Sequence, residues 1–386
     1  MRNYFEFQNG VKIKCGEGAL GTIGAELTYY DVKKPLIITS SSAEKLGVTE
    51  KVKAAVAARG ISDAICFLYD QTEIMEETAK QIKETYQSEG CDGIIAVGGD
   101  TVIDTAKIVR FFLSENCEEI LPIIGTGKAK TKEIPTIAIP TENGSGKEAN
   151  GYVEYKDSYL TSNALVPNVV IIDDKTAMTA PSRTVAALGA YTLTNAIEAY
   201  LNADEDSMVE IYAEKAIHLT AKYLLKFVQN SEDNNACRGM ALAGTLAGIA
   251  YGETQFGAGH ALALAISEAT TEPIEEAYAI ALLPTVEKAV KERAKRMKNL
   301  LLPIVGAKEY AETPDSERAQ RTITEVKKLL ESLHDKANVP IKISQTKIAR
   351  EEFGNIAERA ANKREAITAY KPVTKEDFIA MLNSAY

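Results

Sequence analysis

The turn Val97-Gly98-Gly99-Asp100-Thr101, read as a strand running into a helix, carries the clearest chemistry in the chain. Glycines there let backbone N–H groups approach a pyrophosphate, and the helix N-terminus adds favourable dipole charge. Asp100 works against that use. A carboxylate about 5 Å from a phosphate charge costs roughly 3 kcal/mol at an effective dielectric of about 20. Three arrangements meet the difficulty: Asp100 turns away as a helix N-cap, a cation offsets it, or the dinucleotide is held weakly. The same residues also suit an ordinary tight turn with Asp100 as cap. Acid–base and metal chemistry is limited at once by the scarcity of histidine, which occurs only at 218, 260 and 334.

The elements that would position these residues fall into two kinds. Apolar runs at 35–39, 64–68, 93–97 and 136–140 alternate with helical stretches at 44–59, 74–89 and 101–113. Strand–helix alternation with continuously apolar strands predicts a Rossmann-like parallel sheet covered on both faces. The run 169–173 returns to the same domain. Beyond about Met178 the pattern becomes Ala/Leu-rich with a 3.6-residue period, over 206–227, 235–252, 272–293 and 317–336. The chain therefore divides into an α/β domain over 1–178 and an all-helical domain over 179–386.

Composition narrows the function. A formal net charge of -10 argues against a nucleic-acid binder, whose phosphate contacts need a basic surface. No apolar run is long enough for a membrane span. Five scattered cysteines (Cys15, Cys66, Cys91, Cys117, Cys237) suit reduced thiols, and a cytoplasmic protein is expected.

Gly189-Ala190-Tyr191-Thr192-Leu193-Thr194-Asn195-Ala196-Ile197-Glu198-Ala199-Tyr200 resembles the metal-binding helix of the iron-containing alcohol dehydrogenases, which reads G-M-D-A-L-T-H-A-I-E-A-Y. The resemblance runs over essentially the whole chain. Residues 7–20 look like the family's first hairpin and glycine turn, and 167–173, 281–284 and 371–378 match further segments. It implies the dehydroquinate synthase-like fold, a homodimer, and hydride transfer between a nicotinamide nucleotide and an alcohol or aldehyde. The turn at Gly98, Gly99, Asp100, Thr101 and Asp104 resembles the family's G-G-G-S-x-x-D, which holds the NAD(P) pyrophosphate. Thr141, Ser145 and Lys147 lie in a loop resembling I-P-T-T-A-G-T-G-S-E, which contacts the nucleotide. In that loop Glu142 replaces a threonine and Lys147 a serine. Lys147 and Asp100 depart from the pattern together, which suggests a mutual pair, a phosphate contact for Lys147, or a solvated charge. Ser40 stands where NAD-specific members carry an Asp. Losing that carboxylate removes repulsion against a 2′-phosphate, so both NAD and NADP stay open. Ser40 also suits a helix N-cap.

The resemblance implies four metal ligands, an Asp and three His. Their positions here hold Tyr191, Asn195, His260, and either Ile274 or Glu275, with Leu264 replacing a further histidine near the substrate. A phenol with pKa near 10 and a carboxamide are poor ligands for a divalent ion at neutral pH. A divalent metal is therefore not expected. The catalytic candidates become Tyr191, as proton donor to a developing alkoxide, and His260, as its hydrogen-bond partner. His260 alternatively is a retained core histidine bonded to Tyr191 or Asn195. Two functions follow: a metal-free NAD(P)-dependent oxidoreductase acting on a small alcohol or aldehyde, or an inactive homologue kept as a nucleotide-binding or oligomeric partner. A non-redox enzyme like the related dehydroquinate synthases fits less well, because those need a metal.

Overall fold

The strands are β1 (Lys12–Cys15), β2 (Pro35–Thr39), β3 (Ile65–Leu68), β4 (Gly93–Gly98), β5 (Gly125–Thr126), β6 (Thr136–Pro140), β7 (Tyr152–Tyr155), β8 (Ser158–Thr161) and β9 (Val169–Ile172), with β2, β4, β6 and β9 rich in Val and Ile. The computed structural model describes residues 5–386 apart from 62, 128–133, 143, 157, 178–179, 204, 255 and 271–272. Six strands make one sheet in the order β1-β9-β6-β4-β2-β3, and every pairing in it is parallel. The strands β5, β8 and β7 form a separate small sheet.

Successive side chains on a strand point to opposite faces, so a sheet covered on both sides needs apolar residues at every position. Leu36, Ile38, Ile94 and Ala96 enter one core layer, with helices α4 (Glu76–Ser88) and α5 (Asp100–Ser114). Ile37, Ile95, Val97 and Ile139 enter the other, with α1 (Ile23–Tyr29) and α3 (Val48–Ala57). The single helix expected over 44–59 is two, because Gly47 takes φ 70° and ends the short α2 (Ser41–Lys45) by donating its N–H to Glu44 O at 2.8 Å. The opening segment pairs in parallel with β9, from Lys12↔Val169 to Cys15↔Ile172. It is therefore not one arm of a local hairpin with its neighbour in sequence. A short α6 (Asp174–Ala177) follows β9.

The α/β unit comprises Gln8–Thr179; the second unit runs from Ala180 to Tyr386 and includes the N-terminal residues up to Phe7. Phe7 stacks on Tyr212 there, with centroids 5.5 Å apart. The second unit is built from α7 (Ser182–Leu201), α8 (Ser207–Gln229), α9 (Asn234–Gly252), α10 (Ala258–Ser267) and α11 (Ile274–Met297). Further helices include Arg318–Ala337, Phe353–Asn362 and Lys375–Ser384. Every residue of α7 from Val185 to Leu201 is buried, as its Ala/Leu-rich circumference requires. Two helices pack closely at Gly189, where an added Cβ would lie 2.2 Å from Leu224 Cδ1 on α8.

That approach predicts the effect of a single methyl. Gly189→Ala should lower the unfolding free energy by about 1–3 kcal/mol, the usual range for overpacking a filled core. A urea titration followed by circular dichroism reads it directly, and a midpoint equal to the wild type's would show that Leu224 yields without cost.

Candidate functional site

In the α/β unit, β4 ends at Gly98 and α5 begins at Asp100, so Gly99 is the N-cap and Asp100 the first helical residue. Asp100 is thus not the cap, because the chain is still extended at Gly99 (φ -80°, ψ -168°) and turns helical only after it. The loop after β6 lies against this turn: Thr141 donates its N–H to Gly98 O at 3.1 Å. Thr141 and Ser145 are buried. Gly99 itself is covered by the side chain of Glu142. A Cβ built on Gly99 would stand 2.5 Å from Glu142 Oε2 and 2.9 Å from its Oε1. Thr101 reaches Thr72 O at 3.5 Å, and Ser40 caps α2 by accepting the Ala43 N–H at 3.2 Å.

Behind the turn lies a buried ion network. Asp104 accepts from Lys107 Nζ at 2.9 Å and from Lys147 Nζ at 2.8 Å, and Lys107 also donates to Tyr152 O at 2.9 Å. The Lys147 partner is therefore Asp104, with Asp100 nearby and feeling its charge. The reason is register: Asp104 is one turn further along α5, and Lys147 reaches it from the loop's short 3-10 turn. Burial raises the Asp100 carboxyl against the pull of Lys147 and a hydrogen bond from Ser145. Burial lowers the Lys107 ammonium against the opposing charge of Asp104. Asp104 acts here on the inside of the turn, holding Lys107 and Lys147.

In the helical unit, Tyr191 and Asn195 lie one turn apart on α7, and His260 sits in the first turn of α10. The His260 Nδ1 and the Tyr278 hydroxyl on α11 share a short hydrogen bond. This corrects the expected partner, because Tyr278 reaches His260 from a helix eighteen residues on that sequence spacing did not connect to it. Phe256 stacks on the His260 ring with centroids 3.9 Å apart, and Tyr191 meets Tyr278 edge-on at 4.3 Å. His260 and Tyr278 are each 1% exposed and Tyr191 is 7%. The amide of Asn195 is buried, with neither its nitrogen nor its oxygen partnered among the described residues. Ile274 and Glu275 open α11, Ile274 packing against the aromatic core, and Leu264 is partly buried on α10. The other histidines are engaged elsewhere, His218 with Pro303 O and His334 with Val339 O.

Glu198 was not singled out from sequence, although a lone carboxylate inside a helix buried all round is a signal. It accepts the backbone N–H groups of Gly257, Gly259 and His260, at 3.3, 2.7 and 3.1 Å. Burial pushes its carboxyl up to about 7 against these three donors.

A divalent metal takes carboxylate, thiolate or imidazole ligands. The four inherited positions offer a phenol, a carboxamide, an imidazole that bonds Tyr278 through Nδ1 and keeps Nε2 for another partner, and Ile274 or Glu275. No three His, Cys, Asp or Glu side chains among the described residues are grouped to hold a metal ion. Two of the four positions, Tyr191 and Asn195, therefore hold groups that are poor ligands for a divalent ion at neutral pH.

A parallel α/β sheet unit with a glycine turn is followed by a helical unit that carries Tyr191, Asn195 and His260. Residues 10–174 match the family model "Iron-containing alcohol dehydrogenase", and residues 185–386 match its C-terminal counterpart, "Fe-containing alcohol dehydrogenase family, C-terminal". The chain belongs to the iron-containing alcohol dehydrogenase family. It is 28% identical over 383 residues to alcohol dehydrogenase 4 of Saccharomyces cerevisiae, covering 96% of each chain. It is 28% identical over 253 residues to the NAD-dependent methanol dehydrogenase of Bacillus methanolicus, covering 64% of this chain and 66% of that one. The solved alcohol dehydrogenase of Oenococcus oeni shares the fold, with a TM-score of 0.90 at 24% identity over 99% of this chain and 100% of that one. No helix among the described residues is long and apolar enough to cross a membrane.

Two tests follow from these charges. Asp104→Asn leaves Lys107 and Lys147 buried without their counter-charge and should cost about 3–5 kcal/mol of unfolding free energy in urea. For Glu198, the folded pKa is raised above the ordinary carboxyl value, so the unfolded chain releases this proton at lower pH than the folded one. Stability from this group is full below about pH 4.5 and falls as pH rises through about 7, by roughly 3 kcal/mol for such a shift. Glu198→Gln should remove that slope from a pH series of melting curves while losing an acceptor for the α10 N-terminus. An unchanged slope would place the titration elsewhere.

Proposed function

We propose that this protein is an NAD(P)-dependent oxidoreductase interconverting a small alcohol and its aldehyde, with proton handling by side chains where relatives are iron-containing enzymes. The observation that carries the reading is the Tyr278–His260 hydrogen bond with Tyr191 packed edge-on against the Tyr278 ring, Tyr191 and His260 standing at two of the inherited ligand positions. The nucleotide supplies or accepts the hydride. Its pyrophosphate would be held by the N–H groups around Gly98, Gly99 and Thr101, with Thr141 and Ser145 beside them and Ser40 near the ribose. With no carboxylate at Ser40 to repel a 2′-phosphate, NADP is accommodated as well as NAD.

Tyr191, the least buried of the three polar aromatic groups, donates its phenolic proton to the oxygen of the aldehyde as hydride arrives at the carbon. His260 and Tyr278 are positioning residues. They fix the aromatic wall on which Tyr191 rests and are hydrogen-bonded to each other. Cytoplasmic location and a homodimer complete the reading, supported by five free cysteines and by the resemblance.

The test is an aldehyde panel with NADH and NADPH on protein stripped by a chelator and dialysed. Turnover should survive stripping. Tyr191→Phe should lower kcat by about 100-fold, within the range for loss of a general acid. Tyr278→Phe should shift the pH profile of kcat with little change in nucleotide KM. Activity that collapses on chelation and returns with iron or zinc overturns the metal-free chemistry. Protein that binds nucleotide yet turns over no aldehyde leaves a nucleotide-holding or oligomeric partner.

A further inference from the structure

We infer that the Glu142 carboxylate occupies the pyrophosphate seat at the Gly98–Gly99 turn, so that it competes with the nucleotide and sets its affinity. The inference rests on the proposed nucleotide-dependent function. Gly99 lacks a Cβ, and the space this opens is where a phosphate would approach the backbone. Here that space is filled by a side chain of the chain itself: both Glu142 oxygens and Cδ, at 2.7 Å, crowd the point where a Cβ would stand. The occupant is an anion at the N-terminus of α5, a fifteen-residue helix, and so takes the electrostatic role a phosphate would take.

Around the turn lie the carboxyls of Asp100, Asp104 and Glu142, and the ammoniums of Lys107 and Lys147 both bond Asp104. Glu142 is exposed, and a long side chain at a loop can swing out. The seat therefore opens when Glu142 leaves it, and every phosphate-bearing ligand must first displace this carboxylate. A ligand without phosphates meets no such competition. Glu142 thus discriminates against the pyrophosphate itself, not against the adenosine or nicotinamide ends.

The experiment measures binding and not turnover. Dissociation constants for ADP-ribose, adenosine and NADH are taken by calorimetry and nucleotide fluorescence on the full chain, as wild type, Glu142→Thr and Glu142→Gln. Melting temperatures of all three verify folding. Both substitutions should tighten ADP-ribose and NADH by about tenfold or more and leave adenosine unchanged. Binding of NADH by the variants alone has the same meaning. Wild-type binding that neither substitution tightens overturns the inference and leaves the proposed function standing, as does equal tightening of adenosine. Failure of all three proteins to bind any phosphate-bearing ligand overturns the proposed function and the inference with it.

Discussion

One carboxylate fixes the helical unit. Glu198 on α7 gathers three N–H groups at the start of α10, donors that a helix N-terminus otherwise leaves to water or to a capping side chain. The approach is possible only because glycines stand on both sides of it. A Cβ on Gly257 would meet Glu198 Oε1 at 2.6 Å, and one on Gly259 would meet Thr285 Oγ1 at 2.7 Å and Thr194 Cγ2 at 3.0 Å. With α7, α10 and α11 drawn together at these points, the His260 ring is left between Phe256 and Tyr278. The His260 backbone N–H is itself one of the three groups that this clamp holds.

The α/β unit is organised by the opposite device, a buried charge cluster. Asp104 with Lys107 and Lys147 ties α5 to the loop after β6 and to the start of β7 through Tyr152 O. Buried ion pairs add little net stability once desolvation is included, but breaking one leaves an uncompensated charge. Such a network fixes where the loop lies more than how tightly the unit folds. Because the loop is held there, Glu142 is delivered to Gly99. The same geometry that leaves Gly99 without a side chain places a carboxylate against it.

The sheet was legible because its strands are continuously apolar and bounded by helices, and the parallel order followed from that alternation. The break at Gly47 was less legible, since a glycine inside a helical pattern gives no sign of whether it will turn left-handed. The glycine turn and its loop were visible as motifs, and Lys147 was read as part of the site. Its partner was not, because Asp104 and Asp100 are both acidic and only the helix register separates them. Tyr278 was invisible for a stronger reason. Its bond to His260 joins two helices through the clamp at Glu198, and no local spacing encodes it. Asn195 shows the reverse case: its position was legible, but not that its buried amide finds no partner among the described residues.

The replacements in the two units bear on the direction of the proposed reaction. A divalent ion stabilises an alkoxide in either direction, by charge and without proton transfer. A phenol serves the two directions unequally. With pKa near 10 it is protonated at neutral pH in all but about one molecule in a thousand, so it is ready to give a proton to an aldehyde oxygen. Taking a proton from an alcohol requires the phenolate, the minor form of an ordinary phenol at neutral pH. On the proposed reading, aldehyde reduction draws on the protonated phenol that prevails at neutral pH, and the rate of alcohol oxidation gains with alkalinity.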